Sequence, residues 1–244
     1  MPLVAAPCAV CDSLLDRPAR GPVCERCWRA IHRLPPPLCV RCGDPLGSWW
    51  LVSREGLACP GCRQASSSVD RCRSAGLYEG ALRRILQAFK YDGLRSLATP
   101  LAARMASAAA DLLADADLAV PVPLHRSRRR ARGFNQAEEL VRALGVPWRR
   151  VLVRTRPTLP QAGLTAAGRR RNVDRAFALA KRPLRLLGGA IDVRDRRVLL
   201  IDDVRTTGAT LEACARVLRE GGAARVDAVT AARAVRSPAS RRPL

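Results

Sequence analysis

The chain has 244 residues, of which 48% are hydrophobic and 26% charged; this excludes wholesale disorder and allows one domain of medium size plus a smaller one. Aromatic residues make up only 4%, so the core has to be aliphatic and rich in alanine. Forty-three cations, all arginine except Lys90 and Lys181, stand against 21 acids, a formal charge of +22 that implies a polyanionic partner, whether a phosphorylated small ligand, nucleic acid or both, or else a solvated arginine-rich surface set by genome composition.

The first residues, MPLVAAPCAVC, lack a basic start, so no secretory leader is expected. No stretch approaches the length of an uncharged membrane span, so no membrane insertion is expected either. The expected location is a reducing cytoplasm, where cysteines read as metal ligands before disulfides. Eight of the ten cysteines form four C-x-x-C pairs, namely Cys8/Cys11, Cys24/Cys27, Cys39/Cys42 and Cys59/Cys62. Sequential pairing gives one Zn2+ site from Cys8, Cys11, Cys24 and Cys27 and a second from Cys39, Cys42, Cys59 and Cys62; an interleaved cross-brace is the alternative. CVRCG (39–43) and CPGC (59–62) place glycine where a tight knuckle turns. Two structural zinc ions are therefore expected, with Trp28, Trp49 and Trp50 as the small core of the module or as stacking surfaces for bases. Cys72 and Cys214 remain as ordinary core or surface cysteines.

Residues 1–75 carry ten arginines and six acids, and two zinc–tetrathiolate centres would bring this part near neutrality. Residues 126–185 carry 17 cations and three acids, so the positive field is concentrated there.

Beyond the cysteine module, Leu82, Ile85, Leu86 and Phe89 recur at helical spacing over residues 80–90. Thr99-Pro100 reads as the cap and first turn of a second helix carrying Leu101, Met105, Ala108 and Leu112. DLAVPVPLH (117–125) reads as a strand ending in a proline-rich bend. FNQAEELVRALG (134–145) reads as a helix closed by Gly145, and VLVRT (151–155) as a strand. Residues 156–190 read as a long loop. RVLLIDDV (197–204) is a buried strand, TLEACARVLREGG (210–222) a helix, and RVDAVTAARAV (225–235) the last strand. Strands alternating with helices define an α/β domain with a mainly parallel sheet. The expected division is a double zinc ribbon over 1–72, the α/β domain over 76–236 and a disordered tail over 237–244.

The chemistry concentrates in VLLIDDVRTTGATL (198–211). An apolar strand ends in Asp202 and Asp203, and then Thr206, Thr207, Gly208, Ala209 and Thr210 lead into a helix. Strand ends of parallel sheets are where ligands bind. Hydroxyls, backbone N–H groups and a helix N-terminus together cradle an anion. The two carboxylates would repel a phosphate, so they suit sugar hydroxyls or a divalent cation instead. Neither a P-loop nor a Rossmann glycine fingerprint occurs.

The segment resembles the phosphoribosyl pyrophosphate (PRPP) signature of type I phosphoribosyltransferases, a hydrophobic strand followed by D-D-x-x-T-T-G-A-T. The resemblance implies that Asp202 and Asp203 contact ribose hydroxyls and that Thr206 to Thr210 hold the 5′-phosphate. PVPLHRSRRRARGFNQ (121–136), AFKYDG (88–93), RTRPTLPQAGLTAAGRRRNV (154–173) and the paired cysteines resemble the ComF family, whose members, including GntX-like proteins, are linked with DNA uptake in natural competence. That likeness implies a type I phosphoribosyltransferase fold with an N-terminal zinc-ribbon module. It also implies PRPP bound with Mg2+, His125 and Arg126 near the diphosphate, and transfer of phosphoribosyl to an acceptor. Arg128 to Arg132 and Arg169 to Arg171 are expected on or near a loop covering the site. Lys90 reads as a phosphate ligand or an exposed helix-end cation. The alternative function is a non-catalytic accessory protein that binds single-stranded DNA and competence-machinery proteins, with the PRPP fold as sensor or scaffold.

Overall fold

The computed structural model describes residues 6–46, 57–157, 168, 173, 175–180 and 192–235. Helices α1 (Glu25–Arg29) and α2 (Pro60–Gln64) belong to the cysteine module, and strand β1 (Cys72–Ser74) follows it. Next come α3 (Gly80–Tyr91), α4 (Ala98–Ala108), α5 (Ala110–Asp115), β2 (Leu118–Pro121), α6 (Arg126–Arg132) and α7 (Gln136–Leu144). Strands β3 (Leu152–Arg154), β4 (Phe177–Leu179) and β5 (Arg197–Arg205), then α8 (Ala209–Glu220) and β6 (Arg225–Arg233), complete the order. Four strands form a parallel sheet in the order β1-β6-β5-β2, and β3 pairs with β4 antiparallel.

Side chains of a strand alternate between the two faces of its sheet. On β5, Leu199 and Ile201 enter one hydrophobic cluster with Leu82, Ile85, Leu86 and Phe89 of α3, Leu101 and Met105 of α4, and Leu140 and Val141 of α7. Val198 and Leu200 enter the other cluster, with Leu211, Cys214 and Leu218 of α8 and with Leu152 and Phe177. All four β5 residues are fully buried or nearly so. Both faces are thus covered by helices, which is why this strand reads as a continuous apolar run. The first cluster also contains Cys8, Val10, Leu15, Cys27 and Ile31, so hydrophobic packing runs unbroken from the first cysteine group into α3.

Several local readings are corrected. Thr99 does not cap α4: a 3-10 turn, Arg95–Leu97, feeds the helix directly, and Leu97 already has helical dihedrals. The expected single helix breaks at Ala109 (φ −138°), so Leu112 lies on α5. Residues 126–132 form a helix, because His125 caps its start through its side chain and Gly133 ends it, and arginine is a good helix former. The stretch expected as a loop from 156 to 190 contains β4, a three-residue strand too short to show a period. Gly61 lies inside α2, whose first residue is Pro60; Gly43, at φ +69°, does make the turn expected of it. Trp49, Trp50, Arg169, Arg170, Arg171 and the tail 237–244 lie outside the described residues. Asn135 caps α7 through the Ala137 N–H, and its Nδ2 donates to Val122 O at 3.1 Å, fixing the bend that follows β2.

Candidate functional site

The eight paired cysteines gather sequentially. Cys8, Cys11, Cys24 and Cys27 form one group, and Cys39, Cys42, Cys59 and Cys62 the other; the sulfur atoms of each group lie within 4.8 Å of one another. Sγ–Sγ separations are 3.9 Å for Cys8–Cys27, 3.7 Å for Cys11–Cys24 and 3.7 Å for Cys42–Cys59. A disulfide would need about 2 Å. Four sulfurs at ~2.3 Å around a tetrahedral Zn2+ are about 3.8 Å apart, so the donor set fits zinc. The interleaved alternative is set aside.

The two groups share one plan. Each knuckle closes with a bridge, Pro7 to Leu14 and Leu38 to Pro45. In each, an amide from the second pair donates to the first cysteine: Cys24 N to Cys8 Sγ and Cys59 N to Cys39 Sγ, both 3.3 Å. The residue after each first pair is left-handed, Asp12 at φ 58° and Gly43 at φ 69°.

The carboxylate pair lies at the C-terminal end of β5. Alternation places Asp203 on the face shared with Ile201 and α3, and Asp202 on the face shared with Leu200 and α8. Lys90, in the last turn of α3, reaches Asp203: Nζ and Oδ2 are 2.8 Å apart, and both side chains are 14% exposed. Lys90 is thus an internal partner of the pair, neither an exposed cation nor free for a phosphate. Burial works against its charge, but attraction to Asp203 outweighs this and raises its pKa. Asp202 accepts the Asp203 N–H at 2.9 Å. Burial, reinforced by the Asp203 charge, pushes its carboxyl up to about 7. One dipeptide therefore presents a carboxyl group paired with Lys90 and a second one poised to exchange its proton near neutrality.

A carboxyl raised in the folded protein loses stability as pH climbs from the ordinary carboxylate range towards 7, because the unfolded chain gives up its proton first. Asp202→Asn removes that penalty. Its thermal midpoint should exceed wild type by a margin that grows between pH 6 and pH 8, by about 1 kcal/mol. Melts at the two pH values measure the margin, and a constant or shrinking margin would rule out the raised carboxyl.

After Asp203 the strand continues to Arg205, and Thr206, Thr207 and Gly208 turn into α8. Gly208 caps the helix at φ +80°, a conformation a side chain would strain. Ala209 N–H donates to Thr207 Oγ1 at 3.4 Å, and Thr210 is half-buried in the first turn. β2 lies parallel beside β5, with Val122 N–H donating to Ile201 O at 2.9 Å. The bend carrying His125 and Arg126 therefore leaves from the same end of the sheet as the two carboxylates. His125 Nδ1 accepts from Ser127 N–H at 3.3 Å and lies 2.8 Å from Ser127 Oγ; Arg126 is exposed. Arginines 129 and 150 both pair with buried Glu138, which fastens α6 and the start of β3 to α7.

The sequence reading missed Asp44 and Arg233. Asp44, two residues after Cys42, accepts from Arg205 Nη1 at 3.2 Å and from Arg233 Nη2 at 2.8 Å. Arg233 Nη1 also donates to Thr206 O. No local motif marks these residues, because they meet only in the folded chain.

Residues 100–243 match the family model "Phosphoribosyl transferase domain". Competence protein F of Haemophilus influenzae is 30% identical over 226 residues, covering 88% of this chain and 92% of that protein. DNA utilization protein YhgH of Escherichia coli O157:H7 is 30% identical over 84% of this chain and 87% of its own length. Competence protein ComFC of Bacillus subtilis is 27% identical over 89% and 90%. Among solved structures, the glutamine PRPP amidotransferase from B. subtilis aligns with TM-score 0.35 and 21% identity over 56% of this chain and 26% of that one. The Trypanosoma cruzi hypoxanthine phosphoribosyltransferase aligns with TM-score 0.31 and 20% identity over 62% and 71%. What the sheet and its C-terminal loop define is a phosphoribosyltransferase domain of type I. Within that class, the chain belongs to the ComF family. No helix among the described residues is long and apolar enough to cross a membrane.

Proposed function

We propose that this protein binds PRPP with Mg2+ at the end of β5. One observation carries this reading: a buried central strand delivers two carboxylates and passes within five residues into a glycine-capped helix N-terminus. Asp202 and Asp203 would accept the ribose hydroxyls, the second with one oxygen already held by Lys90. Thr206, Thr207, Gly208, Ala209 and Thr210 would surround the 5′-phosphate with N–H groups, hydroxyls and the positive end of α8. His125 and Arg126, at the same end of the sheet, would face the diphosphate. Mg2+ would neutralise the diphosphate and assist its departure from C1′. Such a complex permits transfer of the phosphoribosyl group to a nucleophile, the C1′–oxygen bond breaking with its electron pair on diphosphate. The two cysteine groups would hold structural zinc. The printed names of the relatives refer to competence and DNA utilization, and we extend that association to this chain; normal DNA uptake by a deletion strain would remove it.

Thermal melts test the ligand. PRPP with Mg2+ at about 100 times its dissociation constant should stabilise the protein by about 2.7 kcal/mol. PRPP without Mg2+ should give little shift. Asp202→Asn should keep its fold and lose most of the shift. An equal shift in that variant would overturn the ribose assignment, and no shift in wild type would overturn PRPP binding.

A further inference from the structure

The second cysteine group is wired to the signature loop through one carboxylate. Its knuckle is pressed against the sheet: Cys72 N–H donates to Arg41 O at 2.7 Å, and a side chain at Gly43 would come within 2.5 Å of Cys72 O. Asp44, the next residue, is carried to the ends of β5 and β6. There it lies between two arginines whose side chains are each only 12% exposed, Arg205 of β5 and Arg233 of β6. Arg205 Nη1 also donates to the carbonyl of Cys42, itself a member of the cysteine group. Arg233 Nη1 donates to Arg205 O at 3.3 Å, to Ala234 O at 2.9 Å and to Thr206 O. The Arg205 and Thr206 carbonyls mark the point where β5 stops being a strand and becomes the loop.

The electrostatics make Asp44 the keystone. Two guanidinium groups held side by side with little solvent repel each other, and a carboxylate between them cancels that repulsion while fixing both planes by charge-assisted hydrogen bonds. Without the carboxylate the arginines have reason to separate, and Arg233 then no longer holds the Thr206 carbonyl. Buried polar groups that lose a partner pull the local backbone towards water.

We propose that Asp44 is a positioning residue for the loop from Thr206 to Thr210, and that through it metal occupancy of the Cys39, Cys42, Cys59 and Cys62 group sets the order of that loop. The cysteine group locates Asp44, Asp44 locates Arg205 and Arg233, and Arg233 holds the first residue of the loop. The consequence for ligand affinity rests on the PRPP reading above, whereas the consequence for loop order does not.

Hydrogen exchange on the intact protein, paired with elemental zinc analysis, separates the two. In Asp44→Asn the zinc content should stay at wild-type stoichiometry, while amides of residues 205–212 exchange at least ten-fold faster and those of α4 stay unchanged. Arg233→Gln, which removes the contact to Thr206 from the other side and leaves Asp44 with Arg205, should give the same loop signature. Cys59→Ser should reproduce it with loss of one zinc. The PRPP dissociation constant should rise at least ten-fold in Asp44→Asn. Unchanged loop exchange in Asp44→Asn and Arg233→Gln overturns the proposal. Loss of zinc from Asp44→Asn also overturns it, because Asp44 would then be serving the cysteine group alone. Faster loop exchange in a protein whose wild type ignores PRPP supports the positioning role and rejects the PRPP reading.

Discussion

Lys90→Met is expected to destabilise the protein by about 3–5 kcal/mol at neutral pH, the range for removing one partner of a buried ion pair. The size follows from what is left behind. Asp203 would remain largely buried, without its 2.8 Å partner and next to the carboxyl of Asp202. The loss should be smaller at pH 6 than at pH 8, because Asp202, whose carboxyl is already raised and loses the lowering influence of Lys90, takes up a proton as the pH falls and relieves the crowding of charge. Lys90→Met combined with Asp203→Asn should recover a large part of the stability, since the charge that needed a partner is gone. Denaturant unfolding of the two single variants and the double variant measures the coupling. Additive losses, or a loss below about 1 kcal/mol for Lys90→Met, would show that the pair contributes no more than a surface salt bridge.

Loss of the first metal is expected to be more damaging to thermal stability than loss of the second. Cys8 and Cys27 share a hydrophobic cluster with α3 and α4, whereas among the described residues the second group meets the domain through the knuckle at Cys72 and the polar bridge at Asp44. A structural zinc contributes folding free energy of about 10–16 kcal/mol in isolated zinc-finger peptides, comparable with the entire stability of a domain. Most of that is spent on ordering the module itself; what reaches the rest of the protein is the packing that the module supports. Cys11→Ser should remove one zinc and lower the thermal midpoint by on the order of 10 °C, equivalent to about 3–5 kcal/mol for a chain of this size. Cys59→Ser should also remove one zinc but lower the midpoint by less than half as much. Calorimetry alongside zinc analysis gives both quantities. An equal or larger drop for Cys59→Ser would show that the shared cluster does not transmit the stability of the first group.

The parts of the fold legible in the sequence were those with a strong period or a strong spacing. The apolar run of β5, the helical spacing of Leu82, Ile85, Leu86 and Phe89, and the C-x-x-C pairs each declare themselves locally. Their products are a buried parallel strand, α3 and two clusters of four sulfurs. VLVRT yielded β3 as expected, but its partner β4 was harder, because a three-residue strand inside a loop-like stretch is defined by its partner and not by its own pattern. The short helix over 126–132 was hidden by composition: a run of arginines carries no apolar face, and the helix rests on caps at His125 and Gly133. Thr99 shows the opposite error, a good capping residue left unused because the preceding 3-10 turn had already begun the helix. At the candidate site, the loop and carboxylates could be read directly, but their partners could not. Lys90 lies 113 positions from Asp203, and Asp44 lies 189 from Arg233; the first pair meets because α3 packs on one face of β5, the second because the cysteine knuckle rests on the adjoining ends of β5 and β6.

The shared plan of the two cysteine knuckles has a further consequence. Their bridges, amide-to-sulfur bonds and left-handed residues match, yet the two knuckles are not interchangeable. Asp12 has a side chain at the turn where the second knuckle has Gly43, and a side chain at Gly43 would collide with the backbone of β1. The second knuckle differs in what it leans on: bare backbone at Gly43 against the sheet, followed at once by Asp44 for the two arginines. A transplant of the first knuckle into the second position would preserve every thiolate and still fail to dock.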